Sequence, residues 1–232
     1  MLDAIIFDFD GVVVDSEPIH FNAFTLIAQK RHLSFPATFE GYKSQGFIGY
    51  DDRDAFRAML GGKAGVLMPP EKESQVHALC EEKLRVFAGL CAAEPVSIPN
   101  ILELWDELDK AGVPYAIASG ACRHDIDLML KGLGRQVAVI VSCDDVARSK
   151  PDPESYALAV RKLGAHLKRD LKPERCLAIE DTPAGLRSAR GAGLKTLGIP
   201  TSHAPAEIAT HADQVLDSPR HVAWARIKAL FA

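Results

Sequence analysis

Short apolar runs that stop abruptly at polar residues punctuate this chain. Ala4-Ile5-Ile6-Phe7 leads into Asp8-Phe9-Asp10-Gly11, and Tyr115-Ala116-Ile117-Ala118 into Ser119-Gly120. Val137 to Val141 leads into Ser142-Cys143-Asp144-Asp145, Cys176-Leu177-Ala178-Ile179 into Glu180-Asp181-Thr182, and Thr196-Leu197-Gly198-Ile199 into Pro200. Near-continuous apolar runs of this length predict strands of a parallel sheet buried on both faces. Between them, apolar residues recur at helical spacing: Ile101, Leu104, Trp105 and Leu108; Tyr156, Ala159 and Leu163; Leu186 and Ala189. Pro99, Pro153 and Pro183 are placed as first helical residues. Asp152 and Thr182 are placed as N-caps, and Gly112, Gly164 and Gly193 as helix ends. Strand and helix alternate, which predicts an α/β fold with a Rossmann-like parallel sheet core.

Residues 16–92 break this rhythm. Helical stretches at Phe21 to Gln29, Asp54 to Leu60 and Glu71 to Phe87 occur there without a convincing strand. The pattern predicts an inserted all-helical domain over 16–92, with the sheet core formed by 1–15 and 93–232. Parallel strands deliver their C-terminal ends to one edge, and open α/β sheets bind ligands at that edge. The polar tails of the runs are therefore expected to meet in one crevice.

Composition narrows the possible functions. Of 232 residues, 47% are hydrophobic, enough for a sizeable core, and the net charge is −4. That balance lacks the basic footprint of a nucleic-acid binder. The five cysteines (Cys80, Cys91, Cys122, Cys143, Cys176) are odd in number and nowhere at CxxC spacing. This argues against a disulfide framework or zinc site and for a reducing, cytoplasmic compartment. The first apolar run is short, is interrupted by Asp8 and Asp10 and lacks a basic flank, unlike a signal peptide. No run approaches a membrane span, so no membrane partner is expected.

Asp8 and Asp10 stand two apart at a strand end. A turn could account for either. Paired carboxylates also suit covalent catalysis, one attacking while its neighbour moves protons. Glu180 and Asp181 end another strand, as surface turn or as oxygen ligands for a hard cation. Lys150, before Pro151-Asp152-Pro153, reads as a surface lysine or as a cation serving an anionic site. Ser119 and Gly120 precede a helix, where a hydroxyl and backbone N–H groups can hold an anion.

Taken in order, these segments resemble the haloacid dehalogenase superfamily at all four of its motifs: FDFDGVVVDSEP (Phe7 to Pro18), IASG with Ser119, SKPDPE with Lys150, and IEDTPAG with Glu180 and Asp181. The insert resembles the helical cap of the beta-phosphoglucomutase-like subfamily. The resemblance implies Asp8 as nucleophile and Asp10 as the acid and base. It implies Ser119, Gly120 and Lys150 as phosphate holders. It also implies a Mg²⁺ at Asp8, the Asp10 backbone carbonyl and Asp181, with Glu180 as ligand or behind the ligands. The cap offers fewer signals. His20 and Arg53, the latter in the loop Gly46 to Arg53, are substrate-facing candidates, and Lys43 is a weaker one; in the core, Arg123 after the Ser119 loop reads as a first-turn surface residue or, more weakly, as an aid to the phosphate. Phe21, Phe24 and Phe56 read as core.

The implied activity is Mg²⁺-dependent hydrolysis of a small phosphate monoester, such as a sugar phosphate, by a monomer or weak homodimer. A phosphosugar mutase, a phosphoglycolate phosphatase and a non-enzymatic protein on the same scaffold stay open. Mutases of this subfamily typically carry Ser-Arg in the cap loop, where this chain reads Tyr50-Asp51-Asp52-Arg53.

Overall fold

The computed structural model describes residues 2–47, 52–63, 65–93 and 97–231. In chain order the elements are β1 (Ala4–Phe7), α1 (Glu17–Arg31), α2 (Phe39–Ser44), α3 (Asp52–Met59), α4 (Pro70–Ala93), α5 (Ile101–Ala111), β2 (Tyr115–Ala118), α6 (Arg123–Gly132), β3 (Ile140–Val141), α7 (Glu154–Leu167), β4 (Cys176–Glu180), α8 (Pro183–Gly191), β5 (Lys195–Gly198), α9 (Pro205–Ile208), β6 (Gln214–Val215) and α10 (Trp224–Leu230). The chain divides into two compact units, Met1–Asp15 with Val96–Ala232, and Ser16–Pro95.

The first unit is a parallel sheet in the order β3-β2-β1-β4-β5-β6. Every residue of β1 and β4 is buried, because helices cover both faces. On one face Ala4, Ile6, Ala116, Ala118 and Ala178 pack with Tyr156, Ala159 and Leu163 of α7. On the other, the Phe7 ring meets Trp105 of α5 at 5.8 Å and Tyr115 at 5.9 Å. Successive strand side chains alternate between these faces, and both faces are apolar. That is why the strands read as unbroken hydrophobic runs. β1 lies between β2 and β4, where the strand order reverses, so the crevice opens at its C-terminal end.

Several boundaries differ from the sequence reading. Of Val137 to Val141 only Ile140–Val141 joins the sheet, as an edge strand paired on one side. α5 starts at Ile101 behind Asn100, whose φ of 65° is left-handed, a conformation Asn tolerates; Pro99 precedes the helix. Pro153 is itself the residue before α7, and the Asp152 carboxylate one step earlier accepts from the Glu154 N–H at 3.0 Å. Gly164 lies inside α7, which ends at Leu167 with Lys168 as its left-handed cap. A side chain at Gly164 would sit 2.9 Å from the Arg169 carbonyl, so this glycine serves close backbone approach rather than termination. Thr182 does cap α8, its hydroxyl accepting from the Gly185 N–H at 3.0 Å.

The second unit is built from α1 to α4. Phe24, Ile27, Tyr42, Phe56, Val76 and Leu79 form its core, with the Phe24 and Phe56 rings 5.3 Å apart. Three acids staple it. Glu82 holds Lys30 at 2.6 Å and Arg31 at 2.8 Å. Glu73 takes the buried Arg57 guanidinium at 2.9 Å, while Asp54 takes its other arm at 2.8 Å. All five cysteines are thiols outside any disulfide, and among the described residues no helix is long and apolar enough to cross a membrane.

Candidate active site

Strand register assembles the site. Phe7 is level with Ile117 on one side and with Ile179 on the other, and the Asp8 N–H donates to the Ile179 carbonyl at 2.9 Å. Asp8 therefore leaves the sheet directly beside Glu180. Carboxylate oxygens of Asp8, Glu180 and Asp181 all lie within 4.8 Å of one another, and all three residues are buried. At an effective dielectric of about 20, two unit charges that close repel by about 3–4 kcal/mol, so cations must be part of the arrangement.

One cation is Lys150. Its ammonium lies 2.7 Å from Asp8 Oδ1 and 2.7 Å from Glu180 Oε1. Burial works against its charge, but Asp8 and Glu180 outweigh burial and hold its pKa above the usual range.

The two acids that end β4 differ sharply. Glu180 is saturated with donors. Its Oε1 accepts from Lys150 and from the Tyr156 hydroxyl at 3.2 Å. Its Oε2 accepts from the N–H groups of Asp181 and Thr182, each at 2.9 Å, and from the Thr182 hydroxyl at 3.0 Å. Gly185 makes this possible, because any side chain there would collide with the Glu180 carboxylate. Asp181 is the opposite. Both of its oxygens are buried and neither accepts a hydrogen bond. The Ser202 hydroxyl is near enough to favour its charge slightly, yet burial, then Glu180 and Asp8, push its pKa well above the carboxylate range. Burial, then Glu180, likewise pushes Asp8 up to about 8 against the pull of Lys150.

A buried all-oxygen cluster with excess negative charge and one donor-free carboxylate suits a hard divalent cation. The chain turns beside it at Gly11, where φ is 75° and a side chain would strike the Asp181 carboxylate. Glycine meets both conditions.

Asp10 is not part of the three-carboxylate cluster. Its Oδ2 takes a long 3.5 Å contact from the Ser119 hydroxyl, which in turn accepts from the Ala121 N–H at 2.9 Å. Ser119 is buried and Gly120 exposed at the end of β2. The first unit thus brings together Asp8, Asp10, Ser119, Lys150, Glu180 and Asp181. Arg123, in the first turn of α6, is exposed and pairs with Asp127 at 3.0 Å.

In the helical unit His20 stacks on Phe87 with centroids 4.4 Å apart. Burial, then the Lys83 ammonium, holds its pKa well below the ordinary value. Arg53 is exposed and, with Glu73, Ser74, Val76 and His77, lines a shallow cavity of about 460 Å³. Lys43 is exposed over the Phe39 ring at 5.5 Å. Of the loop Gly46 to Arg53, Ile48 to Asp51 lie outside the described residues.

Sequence reasoning missed two participants in the site, Tyr156 and Thr182, and one buried charge of the helical unit, Lys83. Tyr156 reads only as an apolar helix position. Thr182 reads only as a cap. Lys83 is buried, pairs with Asp52 at 3.0 Å and lies over the Phe87 ring at 4.2 Å. The signal for Lys83 was a lone charge on the stripe Val76, Leu79, Lys83, Phe87.

The comparisons with known proteins agree with this geometry. The family model for haloacid dehalogenase-like hydrolases matches residues 2–193. Protein CbbY of Rhodobacter capsulatus is 30% identical over 217 residues, 87% of each chain. The validoxylamine A 7'-phosphate phosphatase of Streptomyces hygroscopicus subsp. limoneus is 27% identical, over 98% of this chain and 99% of its own. The crystal structure of CbbY from Rhodobacter sphaeroides in complex with phosphate superposes with a TM-score of 0.79 at 28% identity, covering 98% of this chain and 100% of that one. The chain belongs to the haloacid dehalogenase-like hydrolase family.

Proposed function

We propose that the protein is a Mg²⁺-dependent phosphatase that hydrolyses a small phosphate monoester, a sugar phosphate or a similar metabolite, through an aspartyl phosphate at Asp8. The observation that carries this reading is the division of labour among the clustered acids: Asp8 braced by Lys150, Glu180 saturated, Asp181 left without a donor. Sugar-phosphate chemistry is supported by the relatives' names and by the phosphate bound in the CbbY structure.

Asp8 attacks phosphorus, forming an acyl phosphate as the bond to the leaving oxygen breaks. Asp10 delivers the proton that oxygen needs. Asp10 then takes a proton from water as the water attacks phosphorus, releasing inorganic phosphate and restoring Asp8. Such proton transfer contributes about 10²–10⁴-fold. The Ser119 hydroxyl, the Lys150 ammonium and the Gly120 backbone hold the phosphoryl oxygens. Asp8, Asp181 and the Asp10 backbone carbonyl would hold Mg²⁺, which supplies the positive charge an anionic ester needs beside so many carboxylates. Glu180 serves behind them, fixing Lys150 and the Asp181 backbone.

The test is phosphate release from a panel of phosphorylated sugars and related metabolites by the purified protein. Turnover is expected with Mg²⁺ and should vanish in excess chelator. Undiminished turnover in chelator would overturn the metal assignment, and no phosphate release from any monoester would overturn the reading.

A further inference from the structure

We infer that Tyr156 is a positioning residue of the phosphate site, locking the Lys150 ammonium in place through both its hydroxyl and its ring; this rests on the phosphatase reading above. An ammonium has three N–H donors and no acceptor. Two of those of Lys150 make short bonds, to Asp8 Oδ1 at 2.7 Å and Glu180 Oε1 at 2.7 Å, and the third makes a long 3.5 Å contact with the Tyr156 hydroxyl oxygen that leaves it able to turn to a phosphoryl oxygen. The same hydroxyl donates its proton to Glu180 Oε1 at 3.2 Å. The phenol ring lies under the ammonium, 4.8 Å from centroid to Nζ. Tyr156 thus accepts from the lysine, donates to the acid that competes with Asp8 for it, and forms the floor on which the lysine rests.

Its placement is not accidental packing. Tyr156 is fully buried in the first turns of α7, among Ala118, Ala159 and Val160 of the sheet-facing core. An apolar ring would fill that space equally well. The hydroxyl has no packing purpose; among the described residues its hydrogen bonds go to Lys150 and Glu180. Without it Glu180 Oε1 keeps one donor, the lysine, and the ammonium is drawn toward Glu180 and away from the phosphate position beside Asp8.

Tyr156→Phe removes the hydroxyl and keeps the ring. Inorganic phosphate is titrated calorimetrically into the whole protein at saturating Mg²⁺. The variant should bind phosphate about tenfold more weakly, in line with the effect of residues behind a ligand shell. Ser155→Ala is the control: it deletes a neighbouring buried hydroxyl that has no hydrogen-bond partner, and phosphate affinity should stay at the wild-type value. Equal phosphate affinity in wild type and Tyr156→Phe would overturn the role of Tyr156 alone. Failure of the wild type to bind phosphate would overturn the phosphatase reading itself, and with it this inference. A second measurement needs no variant. The Lys150 ammonium should give a slowly exchanging ¹⁵N resonance in the wild-type protein, and rapid exchange there would contradict a lysine held by Asp8, Glu180 and the Tyr156 hydroxyl.

Discussion

Replacing Asp181 by asparagine should make the metal-free protein more stable. Asp181 faces Glu180 and Asp8 inside a cluster spanning 4.8 Å, with no donor on either oxygen. In the metal-free fold Asp181 either bears its charge against ionised neighbours, at about 3–4 kcal/mol per pair at an effective dielectric of about 20 with Lys150 offsetting about one of the two, or holds a proton that the unfolded chain releases; both cost stability. Asparagine keeps the shape and removes the charge, so relief on the order of 3 kcal/mol is expected. For a chain of this size that raises Tm by about 6–12 °C. The assay is thermal unfolding followed by circular dichroism near pH 7.5 in excess chelator, then with Mg²⁺. Mg²⁺ at about 100 times its Kd should add about 2.7 kcal/mol to the wild type and little to the variant, so the gap narrows or closes. The pH dependence has a definite sign. Asp8 titrates near 8 in the folded protein against an ordinary value of 3.8. The folded state therefore holds a proton that the unfolded chain has released. Stability is full below about pH 4 and is lost as pH climbs through 8. In chelator the wild type should be less stable at about pH 8.5 than at about pH 6, with a shallower fall in Asp181→Asn. A variant that is less stable than wild type in chelator, at every pH, would refute the reasoning that Asp181 is an uncompensated charge awaiting a cation.

The other expectations follow from the same arrangement. Asp10→Asn should lower kcat by about 10²–10⁴-fold with little change in Tm, since Asp10 stands outside the acid cluster; steady-state kinetics with Mg²⁺ decide it. Gly185→Ala should displace the Glu180 carboxylate, and the variant should lose both Tm and phosphate affinity; wild-type values for both would show that Glu180 does not need that space. With beta-glucose 1-phosphate, with or without glucose 1,6-bisphosphate, the products should include free phosphate. Formation of glucose 6-phosphate with little free phosphate would instead favour a mutase. Asp52 does not decide that question by repelling a second phosphate, because its carboxylate is engaged by Lys83 at 3.0 Å.

The sheet and its chemistry were legible because both depend on local pattern. Buried parallel strands need unbroken apolar runs, so β1, β2, β4 and β5 stood out, and the acids that follow them were placed by topology. β6 escaped notice because Gln214–Val215 is too short to form a run. Helix ends were less legible: Gly164 serves a tertiary approach to Arg169, which no local signal encodes. Within the site, the residue pattern alone reads Glu180 and Asp181 alike, and the resemblance implies Asp181 as ligand but leaves Glu180 as ligand or behind the ligands. The donors that saturate Glu180 and not Asp181 come from Lys150, Tyr156 and the turn into α8. Tyr156 itself was hidden because a buried tyrosine and a buried phenylalanine make the same contribution to a hydrophobic pattern. In the helical unit the isolated charge of Lys83 was readable, but its partner Asp52 comes from the start of a different helix, α3.

The central claim, that Asp8 becomes phosphorylated, is tested most directly by trapping the intermediate. The protein is mixed with Mg²⁺ and a monoester from the panel that it turns over, quenched in acid within one turnover, digested and examined by mass spectrometry. The account predicts a single phosphoryl group, labile to hydroxylamine, on the peptide that contains Asp8, and none in Asp8→Asn, which should also release no phosphate. A phosphoryl group on another residue, or steady turnover by Asp8→Asn, would contradict it.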